Sequence, residues 1–101
     1  MMMTTALMTT MTEIAGSMGM TKNDLFRQAL VSFLKQQKRE VLQHRLNILT
    51  RYGAVSVADL ETKIAQGQVA EHPVWEDLIV AENLAAHLEE LNAYLENLRV
   101  A

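Results

Sequence analysis

Residues that break helices are scarce in this sequence, and their positions constrain its fold more than any other feature. The chain of 101 residues has four glycines and one proline, and long uninterrupted stretches lie between them. Within these stretches apolar side chains recur every three or four residues, which is the spacing of one face of an α-helix. No stretch alternates apolar and polar side chains as a strand would. The sequence therefore predicts an all-α protein, of a length typical of one domain.

The first two predicted helices cover residues 5–18 and 21–51. The first carries an apolar stripe and ends before Gly19, which can adopt the left-handed conformation without a Cβ clash. Thr21 is placed to cap the second helix, with an acid three residues later as in a capping box. No breaker interrupts the second helix, but its polar middle, residues 35–40, indicates that its two halves lie in different cores.

The last two predicted helices cover residues 57–66 and 73–98. Ser56 is a suitable cap for the third helix, and Pro73 is expected at the first position of the fourth, where its missing N–H matters least. Five leucines of the fourth helix follow a heptad spacing, which is typical of a helix packed along another long helix. They are Leu84, Leu88, Leu91, Leu95 and Leu98. We therefore expect four helices in one domain, with the two long ones packed antiparallel.

Charge is divided unevenly along the chain. Residues 1–51 hold seven Lys and Arg against three acids, a balance of +4, whereas residues 52–101 hold two against nine, a balance of −7. Such a division suggests two surfaces with different partners, although a solvated helical protein without that property would look the same. On the first interpretation, residues 1–51 are a basic dimerisation half and residues 52–101 an acidic, partner-binding half.

The motifs of common enzyme classes are missing from the sequence. There is no Gly-rich phosphate loop, no nucleophile elbow and no HExxH motif. His44 and His87 are isolated, and His72 with Glu76 gives only two potential ligands where a metal site needs three or four. A helix cap and a first-turn charge explain that pair more simply. We expect no catalytic residues, no metal and no cofactor.

The composition also bears on the compartment. The chain has no cysteine, and therefore neither disulfides nor thiolate metal sites. It has neither an apolar run of about 18 residues nor a basic segment followed by an apolar one, as a membrane span or a secretory signal would require. The expectation is a cytoplasmic protein that does not enter a membrane.

Residues 14–39 contain the most informative pattern in the sequence. A short helix ends at a glycine, an apolar residue and a threonine cap follow, and the next helix has paired apolar positions and a basic tail. The junction reads Gly19-Met20-Thr21-Lys22-Asn23. This quarter of the chain resembles the helix-turn-helix portion of ribbon-helix-helix DNA-binding proteins, a family that includes the antitoxins of many bacterial toxin–antitoxin pairs. A generic helical hairpin shares much of the pattern and is the alternative.

The resemblance implies a dimer that binds DNA. In that family two chains pair through an N-terminal strand, and the resulting ribbon enters the major groove. The start of the second helix grips a phosphate, so Thr21, Lys22 and Asn23 would be the phosphate contacts here. Only residues 1–4 precede the first predicted helix, and they are too few and too apolar for the base-reading strand. The repeated methionines suggest either that the true start of the protein lies upstream or that this member has lost its ribbon. We therefore expect a ribbon-helix-helix-like helical core without its strand, and weak DNA binding.

A dimer is also expected from the apolar face of residues 25–34, because one short helix cannot cover it completely. The predicted interface combines this face with the stripe of the first helix. Its residues are Met11, Ile14, Met18, Leu25, Phe26, Ala29, Leu30 and Phe33.

The acidic half holds a second candidate surface. Glu71, Trp75 and Glu82 lie near the start of the last predicted helix, and an aromatic anchor within an acidic rim is typical of a protein-binding site. This part of the chain loosely resembles the tails with which small antitoxin-like proteins wrap a toxin. A buried anchor where the helix begins is the simpler explanation of Trp75, and partner binding is the alternative.

Two functions remain open at this stage. The first is a non-enzymatic dimeric regulator that resembles a ribbon-helix-helix transcription factor or antitoxin, with DNA or a toxin as its partner. The second is a helical dimerisation module whose partners are proteins only.

Overall fold

The part of the chain that the structure describes forms four α-helices, as the sequence predicts. The structure is a computed structural model that describes residues 4–69 and 71–100. Its helices are α1 (Thr5–Ser17), α2 (Lys22–Arg51), α3 (Val57–Ala65) and α4 (Glu71–Val100). The described residues include no strand, so the all-α prediction is confirmed.

Side-chain caps fix where the first three helices begin. The hydroxyl of Thr21 accepts a hydrogen bond from the backbone N–H of Asp24 at 3.0 Å, and the hydroxyl of Ser56 accepts one from Asp59 at the same distance. Thr4 is a further cap that was not predicted, and its hydroxyl accepts from the N–H of Leu7 at 3.1 Å. Each hydroxyl satisfies an amide that has no acceptor within its own helix.

The start of α4 differs from the prediction. This helix begins at Glu71, so Pro73 is its third residue and not its first. A proline is tolerated there because the first four amides of a helix have no intrahelical acceptor in any case. Helix α4 also extends two residues past its predicted end at residue 98, whereas the boundaries of α1, α2 and α3 agree with the prediction to within one residue.

The two long helices, α2 and α4, run antiparallel along most of their length. At one end the guanidinium of Arg51 lies 2.9 Å from the carboxylate of Asp77. At the other end Arg27 of α2 and Arg99 of α4 line the same groove. The predicted leucine seam of α4 faces α2 and continues towards the N-terminus of α4, beyond the predicted leucines. The most deeply buried positions along it are Val74, Leu78, Ala81 and Leu91.

The best-packed part of the molecule is where α3 meets the end of α2 and the start of α4. Five buried side chains from these three helices form one cluster: Leu49, Leu60, Ile64, Val74 and Leu78. We call this part, comprising α3 with residues 41–52 and 74–81, the closed end. Burial of these side chains is the main stabilising contribution there.

A polar contact joins two helices at the surface of the closed end. Tyr52 donates its hydroxyl hydrogen to the carboxylate of Asp77, which also accepts from Arg51. The hydrogen bond to Asp77 raises the pKa of Tyr52 above its ordinary value of 10.0, and burial and the negative charge of Asp77 act in the same direction. The contact therefore links the end of α2 to the start of α4 while Tyr52 is protonated.

The molecule is elongated. It measures 60 × 26 × 21 Å, and its radius of gyration is 19.7 Å, whereas a compact domain of about 100 residues has one of about 13 Å. A helix of 30 residues such as α2 is itself about 45 Å long. The long helices thus extend well beyond α3. Among the described residues, only the end that carries α3 is packed on several sides.

Candidate protein-interaction surface

Apolar side chains remain exposed at the end of the molecule opposite α3. We call α1 together with residues 22–34 of α2 the open end. Among its described side chains only Ala15 is buried. Met18 is 68% exposed and Phe33 59% exposed, and Leu7, Met8, Ile14 and Phe26 are also largely accessible. The apolar spacing that predicts buried side chains therefore gives exposed side chains at this end of the molecule.

The shape of this surface follows from the turn between α1 and α2. Gly19 has a φ of 67°, a left-handed conformation that glycine adopts readily. The N–H of Met20 donates to the carbonyl of Ala15 at 2.9 Å, which closes the end of α1 and directs the chain back into α2. As a result α1 packs against the beginning of α2.

The two helices leave an apolar groove of about 290 Å³ between them. Its walls carry Leu7, Met11, Ile14, Leu25, Phe26 and Ala29, and Thr10 is the one polar side chain among the described residues that line it. An apolar, open groove of this kind is suited to a side chain of another protein, since it offers burial without specific polar partners.

Five of the eight predicted interface residues line this groove: Met11, Ile14, Leu25, Phe26 and Ala29. Leu30 lines a neighbouring hollow that faces the end of α4. Met18 and Phe33 are exposed beyond the ends of the groove. The prediction omitted Leu7, although Leu7, Met11, Ile14 and Met18 form one stripe whose spacing would have identified it.

The predicted phosphate contacts lie together at the start of α2. Lys22 and Asn23 border a second groove with the threonine-rich side of α1. The hydroxyl of Thr21 already accepts from the N–H of Asp24, and Asp24 adds a negative charge within the first turn of the helix. This charge opposes an anion at the same helix end, so the electrostatic attraction for a phosphate is reduced.

The antiparallel packing brings basic and acidic parts of the chain side by side. Arg27, Lys35 and Lys38 of α2 line one groove with Glu96 of α4. Glu96 accepts a hydrogen bond from Arg99, which lowers the pKa of its carboxyl group. The negative charge of an ionised Glu96 compensates the positive charges of these side chains within one chain. This favours the interpretation of a solvated helical protein over that of two separate charged surfaces.

The match to a known family covers almost the whole sequence. Residues 3–101 match the family model described as "Uncharacterized protein MJ0235 family". The chain belongs to this family. No curated protein and no solved structure matches the chain.

The second candidate surface of this MJ0235-family chain lies on α4. Trp75 is 48% exposed, so the interpretation of Trp75 as a buried anchor is wrong. Its neighbour Val74 is fully buried instead, because successive helix residues point about 100° apart and the seam faces inward at Val74. Glu82 is also exposed, two turns further along the same face. The side chain of Glu71 lies outside the described residues, and partner binding by this surface stays a prediction.

Two further findings concern the part of this MJ0235-family chain that the structure describes. Its side chains form no group of three or more His, Cys, Asp or Glu that could hold a metal ion. Within the same residues, no helix combines the length and the apolar character that crossing a membrane requires.

Proposed function

We propose that this chain is a non-enzymatic protein-interaction module that forms a homodimer through its open end. The observation that supports this most strongly is the apolar groove between α1 and α2, bordered by side chains as exposed as Met18 and Phe33. Large apolar side chains clustered on a surface are typical of interfaces, whereas scattered ones are not.

The accessible surface of the chain supports a partner of substantial size. One chain of 11.4 kDa exposes 7201 Å², whereas a compact monomer of that mass exposes roughly 5800 Å². The excess of roughly 1400 Å² is larger than the roughly 800 Å² that each partner buries in a standard interface. Pairing of two open ends would remove part of this excess and complete the packing that α3 provides at the closed end.

The test is the mass of the protein in solution. Sedimentation at tens of micromolar is expected to give a particle of about 23 kDa, twice the 11.4 kDa of one chain. A monomer at that concentration would contradict the proposal, since an apolar surface of this size would then have no second copy on it.

Two matched variants locate the dimer surface. Phe33→Asp places a charge at the open end and is expected to weaken the dimer at least 100-fold, because an unpaired buried charge costs on the order of 3–5 kcal/mol. Ile79→Asp is the control, because Ile79 is 55% exposed against 59% for Phe33 but lies on α4. If Ile79→Asp dissociates the dimer and Phe33→Asp does not, the two chains pair through the surface of α4 around Ile79 and not through the open end.

A second candidate function is a DNA-binding regulator of the ribbon-helix-helix type. Lys22 and Asn23 at the start of α2 support it, whereas Asp24 in the same turn weakens the attraction for a phosphate. This helix begins with a capped turn that carries Lys22 and Asn23, as the resemblance implies for a phosphate contact. If the chain is only a dimerisation module, we expect non-specific binding to duplex DNA with dissociation constants of about 10⁻⁴–10⁻⁶ M. This affinity falls steeply as the salt concentration rises. Fluorescence anisotropy on labelled duplexes distinguishes the two, since tight, sequence-dependent binding at physiological salt would favour the regulator.

A further inference from the structure

One face of α2 carries an ordered series of side chains across the open end. Phe26, Ala29 and Phe33 follow one another at intervals of three and four residues and therefore share a face of the helix. All three are exposed. Phe26 and Ala29 also form one wall of the apolar groove, and Phe33 lies one turn beyond it.

The small residue in the middle determines how closely another helix can approach. Two helices come within about 8 Å of each other only where the side chains at the contact are small. Ala29 is such a position, and the bulky rings of Phe26 and Phe33 stand on either side of it. If the α2 of a second chain crosses at Ala29, its Phe26 and Phe33 lie on either side of the crossing point, next to the first chain.

The charges on this face indicate the direction of the second helix. Lys22 and Glu40 lie on the same side of α2 as Ala29 and Phe33. Lys22 is at one end of this face and Glu40 is at the other. A parallel partner would bring the two Lys22 residues together and the two Glu40 residues together. An antiparallel partner brings each Lys22 to within about one helical turn, roughly 6 Å along the axis, of the partner subunit's Glu40.

We propose that the α2 helices of two chains cross antiparallel at Ala29, and that Phe33 of each chain enters the groove of the other. With Ala29 on the two-fold axis, Phe33 comes opposite the partner subunit's Leu25 and Phe26, which line that groove. Aromatic rings at such a contact also pair favourably edge to face. This inference rests on the proposed homodimer and specifies its geometry.

Single cysteines test the crossing directly, since the chain has no cysteine of its own. A disulfide requires Cα atoms within about 7 Å. In the Ala29→Cys variant the two thiols meet at the axis and are expected to cross-link. In the Gln36→Cys variant they lie on the same exposed face but roughly 21 Å apart along the helix axes. We expect mild oxidation to cross-link Ala29→Cys at least about tenfold faster than Gln36→Cys.

The controls separate this geometry from the homodimer itself. Light scattering of each reduced variant reports whether a dimer forms at all. If a dimer forms and Gln36→Cys cross-links as fast as Ala29→Cys, the helices pair in parallel and the crossing is refuted while the homodimer stands. If a dimer forms and neither variant cross-links, α2 does not cross at Ala29. If the reduced protein is a monomer, both proposals fail.

Discussion

The two ends of this molecule contain similar apolar sequence patterns but pack very differently. At the closed end a helix of 9 residues, α3, contributes two buried side chains to a cluster shared with α2 and α4. At the open end a longer helix of 13 residues, α1, buries only Ala15. The difference is geometric, because three helices enclose the cluster around Leu60 whereas α1 lies beside α2 and leaves a groove. An apolar stripe thus indicates that a helix face will be buried. It does not indicate whether the same chain or a second chain buries it.

The largest expected effect of a substitution is at the closed end. Leu60 is fully buried within its cluster, so Leu60→Ala should lower the free energy of unfolding by about 2–5 kcal/mol through lost burial and the cavity it leaves. Chemical denaturation of the purified variant measures this value directly.

Leu7→Ala is the matched change at the open end. Leu7 is 53% exposed in one chain, so at dilutions where the protein is monomeric this variant should alter the free energy of unfolding by only about 0.5 kcal/mol. Equal destabilisation by the two variants in the monomer would mean that the ends do not differ as described.

A smaller effect is expected from the polar contact at the closed end. Tyr52→Phe removes the hydrogen bond to Asp77 and should lower the free energy of unfolding by about 1 kcal/mol, a modest value because the contact is partly solvated. The raised pKa of Tyr52 sets the pH dependence of this difference. A group whose pKa is raised in the folded state stabilises the fold fully when the pH is below its unfolded-state pKa. This stabilisation is lost as the pH rises through its folded-state pKa.

Denaturation of wild type and Tyr52→Phe at several pH values checks this prediction. The difference between them should be constant below about pH 9 and should shrink above the ordinary tyrosine pKa of 10.0. A difference that grows with alkaline pH would show that ionised Tyr52 is the form that stabilises the fold.

Local sequence signals predicted most of the fold. Helix ends were identified where a side chain or a glycine acts within a few residues, as with Thr21, Ser56 and Gly19, and the structure confirms these ends. The start of α4 was less well predicted, because a proline is compatible with any position in the first turn and does not mark the first residue.

Burial was harder to predict than helix boundaries. Trp75 and Val74 are neighbours of similar apolar character, and only the register of α4 against α2 decides that Val74 is buried and Trp75 exposed. The leucine heptad begins at Leu84, so it does not indicate the earlier positions of the seam, where burial is deepest. The predicted interface residues were placed correctly on helix faces, but the groove between α1 and α2 depends on the angle of a turn that periodicity does not encode.

Hydrogen–deuterium exchange at two protein concentrations tests the central claim most directly, namely that a second copy covers the open end. Amides of residues 5–17 and 57–65 are followed in the same sample, below and above the dissociation constant found by sedimentation. Our account predicts that exchange of residues 5–17 slows at the higher concentration, because dimerisation suppresses local opening of α1. Exchange of residues 57–65 should change much less. If both segments exchange at rates independent of concentration, or if only residues 57–65 become protected, a second copy does not cover the open end.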